Sequence, residues 1–233
     1  MALTPRLLLA LALLLAMIEV GLNAPAIVPA WASWLAGAVH VVGLAWWVRA
    51  PRSVAAGALA LLPLLVGGIL EGALSPSGVH HGKILPVVAL AGWLVAQVRG
   101  GPDADRNAVE AACGLTAAAY ALAAYAKLAG AGLLWFDPDY LGLLLVERAV
   151  GAPAPLAALR LAVAEQPTLC VLLAGGALLT EASGALFVWA PARRPVALAL
   201  LAMHAGIALL MGYVYVSWAL VVVALAGFAG RAR

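Results

Sequence analysis

Apolar residues run almost without interruption through eight stretches of this chain, with polar residues gathered mainly between them. The stretches fall at about 7–22, 32–48, 54–72, 84–98, 109–128, 168–190, 195–211 and 213–229. Most approach the roughly 20 residues that an α-helix needs to cross the hydrocarbon core of a bilayer. The ten-residue alternating pattern of a membrane barrel is not seen in the sequence. The pattern therefore predicts an all-α, polytopic transmembrane bundle of about eight helices.

The last two stretches allow two interpretations. The segment 195–228 gives only about 52 Å at 1.5 Å per residue, which is short for two complete spans. Gly212, followed by the polar residues Tyr213, Tyr215 and Ser217, offers a turn between two short helices. We therefore predict two helices here, and one long tilted helix is the alternative.

The composition excludes a water-soluble protein. Of the 233 residues, 66% are hydrophobic and 10% are charged, and the mean hydropathy is +1.08. Soluble domains have roughly half apolar and a quarter charged residues, and a disordered chain would need far less apolar surface.

We expect a single integral membrane domain over residues 1–233, with a retained first helix because Glu19 interrupts its apolar run. Cys113 and Cys170 lie in apolar stretches and are expected to be free, buried thiols.

The basic residues predict the orientation in the membrane. With eight spans, nine of them fall on one side: Arg6, Arg49, Arg52, Arg99, Arg106, Arg193, Arg194, Arg231 and Arg233. The other side holds Lys83, Lys127, Arg148 and Arg160. The positive-inside rule then places both termini in the cytoplasm, in what we expect to be a bacterial cytoplasmic membrane. Because the basic residues lie in short loops, where membrane orientation accounts for them, we expect no nucleic-acid partner. Within the long outer segment 129–167, residues Leu141–Val150 are predicted to form an interfacial helix.

Ionisable residues inside apolar stretches need a partner or a function, because each costs about 2.5–3.5 kcal/mol on insertion scales. The candidates are Glu19, His40, Glu71, Lys127, Glu181 and His204 in the predicted helices, with His80, His81 and Lys83 beside the fourth helix. Several of them tend toward the outer leaflet. We therefore predict a polar cavity that opens outward within an apolar bundle.

Lys127 is the strongest candidate for a catalytic group. Tyr120 lies seven residues before it and shares its helix face, whereas Tyr125 is nearly opposite. A desolvated lysine can act as a base, and the alternative is an interfacial anchor. Glu181 and His204 are each about ten residues from the short loop at 191–195, so they are expected at similar depth and in contact. That contact is either part of a site or only a link between helices.

Three ordered motifs resemble the HTTM superfamily, the membrane fold of vitamin K-dependent γ-glutamyl carboxylase and its bacterial relatives. The motifs are the histidine segment Ser77–Leu85, then Tyr125–Leu128 with Trp135 downstream, and then Glu181–Phe187, Pro191–Arg194 and Met203–Gly212. The resemblance covers about residues 75–228 and, more loosely, the whole chain.

The resemblance implies a quinol-dependent, carboxylase- or epoxidase-like membrane enzyme, a lyase or oxidoreductase that uses a vitamin K-like quinone or hydroquinone. It implies that Lys127 is the base that deprotonates the hydroquinone, and that His80 or His81 orients it. The residues expected to contact the substrate are Tyr120, Tyr125, Trp135, Glu181 and His204. The expected partners are membrane lipid, a lipid-like small molecule, and a partner membrane or extracytoplasmic protein.

Two other classes of protein remain open at this point. A non-catalytic membrane subunit or scaffold would use the same polar residues to hold helices together. A b-type haem protein would use His40 and His204 as iron ligands. The haem protein is the less favoured of the two, because paired haem-ligating histidines usually recur on the same helices, and these do not.

Overall fold

Helices make up all the regular structure in the described part of the chain. The computed structural model describes residues 4–22, 29–74 and 84–227, with side chains over 4–18, 29–70 and 84–227. Ten α-helices lie in these ranges: α1 Pro5–Leu22, α2 Ala30–Arg49, α3 Val54–Leu74, α4 Ile84–Arg99, α5 Ala104–Ala131, α6 Pro138–Ala149, α7 Ala154–Ala164, α8 Pro167–Ser183, α9 Arg193–Met211 and α10 Val216–Leu225. Three short 3₁₀ segments, Gly132–Phe136, Gly184–Val188 and Ala190–Ala192, join some of them. The predicted all-α class is confirmed.

Among the described residues, four helical segments are long and apolar enough to cross a membrane. They are Ala30–Arg49, Ala104–Phe136, Pro167–Val188 and Ala190–Met211. Shorter apolar stretches of 10–17 residues lie in α1 (Pro5–Ile18), α3 (Val54–Leu70), α4, α7 and α10. The length and composition of the four segments suggest that the chain is integrated in a membrane.

The break between the last two helices is where the sequence placed it. α9 ends at Met211, and Gly212 adopts a left-handed φ of 76° that ends the helix. α10 begins at Val216, so the pair is observed rather than one long helix. The predicted interfacial helix corresponds to α6. Sequence analysis missed α7, although Pro155 stands in its first turn, where proline is favoured.

The described helices pack as two units. The first contains residues up to Thr116 together with those from Val216 onward. In this unit α2 packs on α3, and α1 packs on α10. Its core includes the fully buried side chains of Leu13, Trp47 and Val221. Cys113 is buried in this unit and forms no disulfide bond, as expected.

The second unit runs from Ala117 to Tyr215. Here α6 packs against α7 and α8, and α8 packs against α9. Leu145, Val163 and Cys170 form a buried cluster where α6, α7 and α8 meet. Cys170 is buried and likewise forms no disulfide bond. This unit carries most of the candidate residues whose side chains the structure describes.

Candidate functional site

An ion pair between Lys127 and Glu181 joins α5 to α8 in the second unit. The Lys127 ammonium donates to Glu181 Oε1 at 2.6 Å, and Oε2 of the same carboxylate also accepts from it. The lysine side chain is 27% exposed and the glutamate side chain is 9% exposed. The pair is therefore largely buried within the second unit. In such a setting each charge depends on the other for stabilisation.

Trp135 completes the environment of this lysine. It lies in the 3₁₀ segment that follows α5, and its ring centroid is 5.5 Å from the Lys127 ammonium, within cation–π range. Its indole N–H donates to the carbonyl oxygen of Ala174 at 3.1 Å. Ala174 and Glu181 are seven residues apart on α8 and therefore share one face of that helix. The same face of α8 fixes both the carboxylate and the aromatic ring beside Lys127.

Tyr120 and His204 form a second polar pair, between α5 and α9. The Tyr120 oxygen lies 3.0 Å from His204 Nε2, and the tyrosine is fully buried. Tyr120 precedes Lys127 by two helical turns on the same face of α5, as the sequence predicted. Tyr215 presents its ring to His204 in an edge arrangement, with the centroids 5.7 Å apart. A close approach by Gly184 holds Tyr120, because a Cβ on that glycine would lie 2.4 Å from the tyrosine Cβ.

The arrangement places two proton-exchanging pairs along one face of α5. One pair joins an amine to a carboxylate, and the other joins a phenol to an imidazole. All four groups can donate or accept a proton during a reaction. In this structure Lys127 is a hydrogen-bond donor, so it can act as a base only after passing a proton to Glu181.

The structure brings together five of the predicted site residues, namely Tyr120, Lys127, Trp135, Glu181 and His204. We refer to these five as the polar cluster. Tyr125 does not join the cluster. It is 67% exposed, because two residues along a helix rotate its side chain by about 200° from that of Lys127.

The expected contact between Glu181 and His204 is replaced by two other contacts. The Glu181 carboxylate binds Lys127, and His204 Nε2 meets Tyr120. Sequence analysis placed both residues at similar depth but could not include α5, the helix that supplies both partners. The direction in which α8 and α9 face α5 depends on packing rather than on the length of a loop.

Several predicted residues lie outside the described side chains. They are Glu19, Glu71, His80, His81 and Lys83. The outward-opening cavity that they would help to line stays a prediction.

His40 is described and belongs to the first unit, where its Nδ1 donates to the carbonyl oxygen of Ala60 at 2.6 Å. A Cβ on Gly43 would lie 2.5 Å from the Ala60 nitrogen, so this glycine allows α2 and α3 to approach closely enough for that bond.

The sequence did not predict that arginine and tyrosine side chains would come together near the end of α9. In the sequence, Arg148 and Arg160 contributed only to the predicted orientation in the membrane. In the structure Arg160 is buried, and Arg148 packs on Tyr213. A signal was present, since an arginine in the apolar segment of α7 needs a partner.

The resemblance to the HTTM superfamily rests on the three sequence motifs, two of which supply four of the five residues of the polar cluster, all but Tyr120. Comparison of the chain with protein-family models, with curated proteins and with solved structures finds no match. The family membership therefore stays a prediction from the sequence.

Proposed function

We propose that this chain is an integral membrane protein of the HTTM type that binds a quinone, a hydroquinone or a related lipid beside the polar cluster. The observation that carries the proposal is the convergence of Lys127, Glu181, Tyr120 and His204 within one unit. These residues come from three helices, and the paired residues are 54 and 84 positions apart in the chain. Largely apolar surroundings with a few converging polar groups are typical of small-molecule sites.

The chemistry of the cluster fits a ligand with acidic hydroxyl groups. A bound hydroquinone would supply two such groups on a flat aromatic ring. Lys127 can take up a proton after it has transferred one to Glu181, whose carboxylate oxygen is 2.6 Å away. Trp135 offers an aromatic face beside Lys127, and its indole is fixed by Ala174. By resemblance, His80 or His81 would orient the ligand.

In this proposal the enzyme would be quinol-dependent and carboxylase- or epoxidase-like, with Lys127 as the base and Glu181 as its proton partner. Removing the lysine would abolish proton uptake. Replacing Tyr120 by Phe would remove the hydrogen bond that positions His204 but would leave the base, Lys127, in place. The two kinds of variant therefore separate a catalytic residue from a positioning residue.

We also propose eight membrane spans, with both termini in the cytoplasm. The four long apolar segments would be joined by α1, α3, α4 and α10, while α6 and α7 would lie outside the spans. The excess of arginine on one side, nine against four, supports this orientation. Cysteines introduced one at a time at two exposed aspartates, Asp103→Cys and Asp139→Cys, test it, because the native Cys113 and Cys170 are buried. A thiol reagent that cannot cross the membrane should label Asp139→Cys from outside and should reach Asp103→Cys only in permeabilised cells.

A non-catalytic membrane subunit is the second candidate, and one observation favours it. Lys127 and Glu181 satisfy each other, and Tyr120 is fully buried against Gly184. Such contacts are sufficient to hold α5 against α8 and α9 without any catalytic role. In that case the polar cluster would contribute to stability, and no ligand would depend on it.

Identification of the lipids that copurify with the protein separates the two candidates. The protein is purified in mild detergent, and the extracted lipids are analysed by mass spectrometry and by their absorption spectrum. We expect a quinone with the wild type and with Tyr125→Phe, and none with Lys127→Ala. A quinone retained by Lys127→Ala would overturn the proposed site, and its absence from the wild type would favour the subunit. A Soret band in the same spectrum would support the haem protein instead.

A further inference from the structure

Arg160 is a buried cation whose hydrogen bonds go to backbone carbonyl groups. It lies on α7 and is only 6% exposed. One Nη donates to the carbonyl oxygen of Arg148, and the other donates to that of Leu209 at 3.2 Å. Its Nε is buried and has no acceptor among the described residues. A Cβ on Gly212 would lie 3.5 Å from Nη2, so the turn after α9 packs against this guanidinium group.

Arg148 borders the same turn. Its guanidinium carbon lies 4.7 Å from the centroid of the Tyr213 ring, and one Nη donates to the Tyr213 hydroxyl oxygen. The Nε of Arg148 is also buried and finds no acceptor in the described part of the chain. The contact with Tyr213 is exposed, so this side of the arginine pair can be approached from outside.

Neither arginine has a carboxylate partner among the described residues. Glu181, a buried carboxylate of the same unit, pairs with Lys127 instead. The four other acidic residues of the second unit are exposed and pair with neither guanidinium: Asp137, Asp139, Glu147 and Glu165. Arginine keeps its charge at any physiological pH. Carbonyl oxygens and the negative end of α9 provide only partial compensation for two full charges.

We propose that Arg148 and Arg160 form a binding site for a phosphate group next to the turn at Gly212–Tyr213. A guanidinium group presents a planar fork of donors that matches the oxygens of a phosphate. An anion here would offset part of the charge of two cations that are otherwise only partly compensated, and it would offer acceptors to a site rich in donors. The phosphate can belong to the head group of an anionic membrane lipid or to a free phosphate ion. This site is separate from the polar cluster and does not depend on the proposed quinone chemistry.

The test measures the thermal stability of the purified protein in a neutral detergent during titration with one additive at a time. The additives are phosphatidylglycerol, zwitterionic phosphatidylcholine as the lipid control, and inorganic phosphate. The variant is Arg148→Gln, whose side chain lies at the accessible end of the pair. Arg106→Gln removes one charge from an exposed position of the first unit and serves as the matched control.

We expect saturable stabilisation of the wild type and of Arg106→Gln, and an apparent affinity about tenfold or more weaker in Arg148→Gln. Stabilisation by phosphatidylglycerol alone would assign the site to a lipid head group. Stabilisation by inorganic phosphate as well would assign it to phosphate from either source. The proposal is overturned if no anion stabilises the wild type, if phosphatidylcholine acts equally well, or if Arg148→Gln responds like the wild type.

Discussion

The described part of each unit contains an ion pair, and the two pairs differ in their surroundings. In the first unit, Arg52 and Asp105 are 3.3 Å apart, with side chains 67% and 60% exposed. In the second unit, Lys127 and Glu181 form a closer pair whose side chains are 27% and 9% exposed. Exposed pairs contribute little because water already solvates both charges. In a buried pair, each partner becomes costly when the other is removed.

The neighbours of the two pairs differ in the same way. Asp105 also accepts a hydrogen bond from Gln97 at 3.1 Å, close to the ends of α4 and α5. Lys127 instead lies against the ring of Trp135, and Tyr120 binds His204 on the same face of α5. The first arrangement ties helix ends together. The second places reactive groups in apolar surroundings, where a ligand with acidic hydroxyl groups would find few competing waters.

The largest effect is expected from breaking the buried pair on one side. Glu181→Met keeps the approximate volume of the side chain but leaves the Lys127 ammonium without its counter-ion. We expect a loss of about 3 kcal/mol in the free energy of unfolding, measured by denaturant titration in mixed micelles. A loss below 1 kcal/mol would show that the pair is solvated like the one in the first unit.

A somewhat smaller effect is expected from Gly184→Ala. The new methyl group would lie 2.4 Å from the Cβ of Tyr120, so the tyrosine or the 3₁₀ segment must move. Such overpacking costs about 1–3 kcal/mol. Gly176→Ala on α8 is the control, because nothing lies within 4 Å of its added Cβ. Equal stability of the two variants would contradict the close approach to Tyr120.

Tyr120→Phe removes one buried hydrogen bond and little volume. We expect a destabilisation of about 1 kcal/mol, since hydrogen bonds between membrane helices average about 0.6 kcal/mol and reach about 1.7 kcal/mol. Tyr125→Phe makes the same chemical change at a side chain that is 67% exposed, and should have no measurable effect. If both variants unfold alike, the bond to His204 does not stabilise the second unit.

The smallest effect is expected at the exposed pair. Asp105→Asn removes the charge but keeps an oxygen that can accept from Gln97. The expected destabilisation is at most about 0.5 kcal/mol, and it should shrink further as salt is added. A loss comparable to that of Glu181→Met would remove the difference between the two pairs.

The sequence predicted the helices better than it predicted their contacts. Continuous apolar runs indicate membrane helices because the bilayer imposes both the length and the composition of a span. The turn at Gly212 was predictable because only glycine adopts a left-handed φ readily. α7 was not predicted, since its 11 residues are too few for a membrane span and leave no span-length apolar run in the sequence.

The polar cluster was predictable only in part, because spacing within one helix can be calculated whereas the rotation of different helices cannot. The shared face of Tyr120 and Lys127 follows from their separation of seven residues. The partner of Glu181 depends on which face α8 turns toward α5, and the burial of Arg160 depends on the packing of α7. Neither follows from a single sequence.

The double variant Lys127→Met with Glu181→Met tests the central claim most directly, because it separates ligand binding from stability. Replacing a whole buried ion pair by apolar side chains is often neutral or stabilising, so the double variant should unfold within about 1 kcal/mol of the wild type. The lipid extract of this folded variant is then compared with that of the wild type by mass spectrometry. Our account predicts a quinone in the wild-type extract and none in that of the double variant. A double variant that folds and still carries the quinone would contradict it.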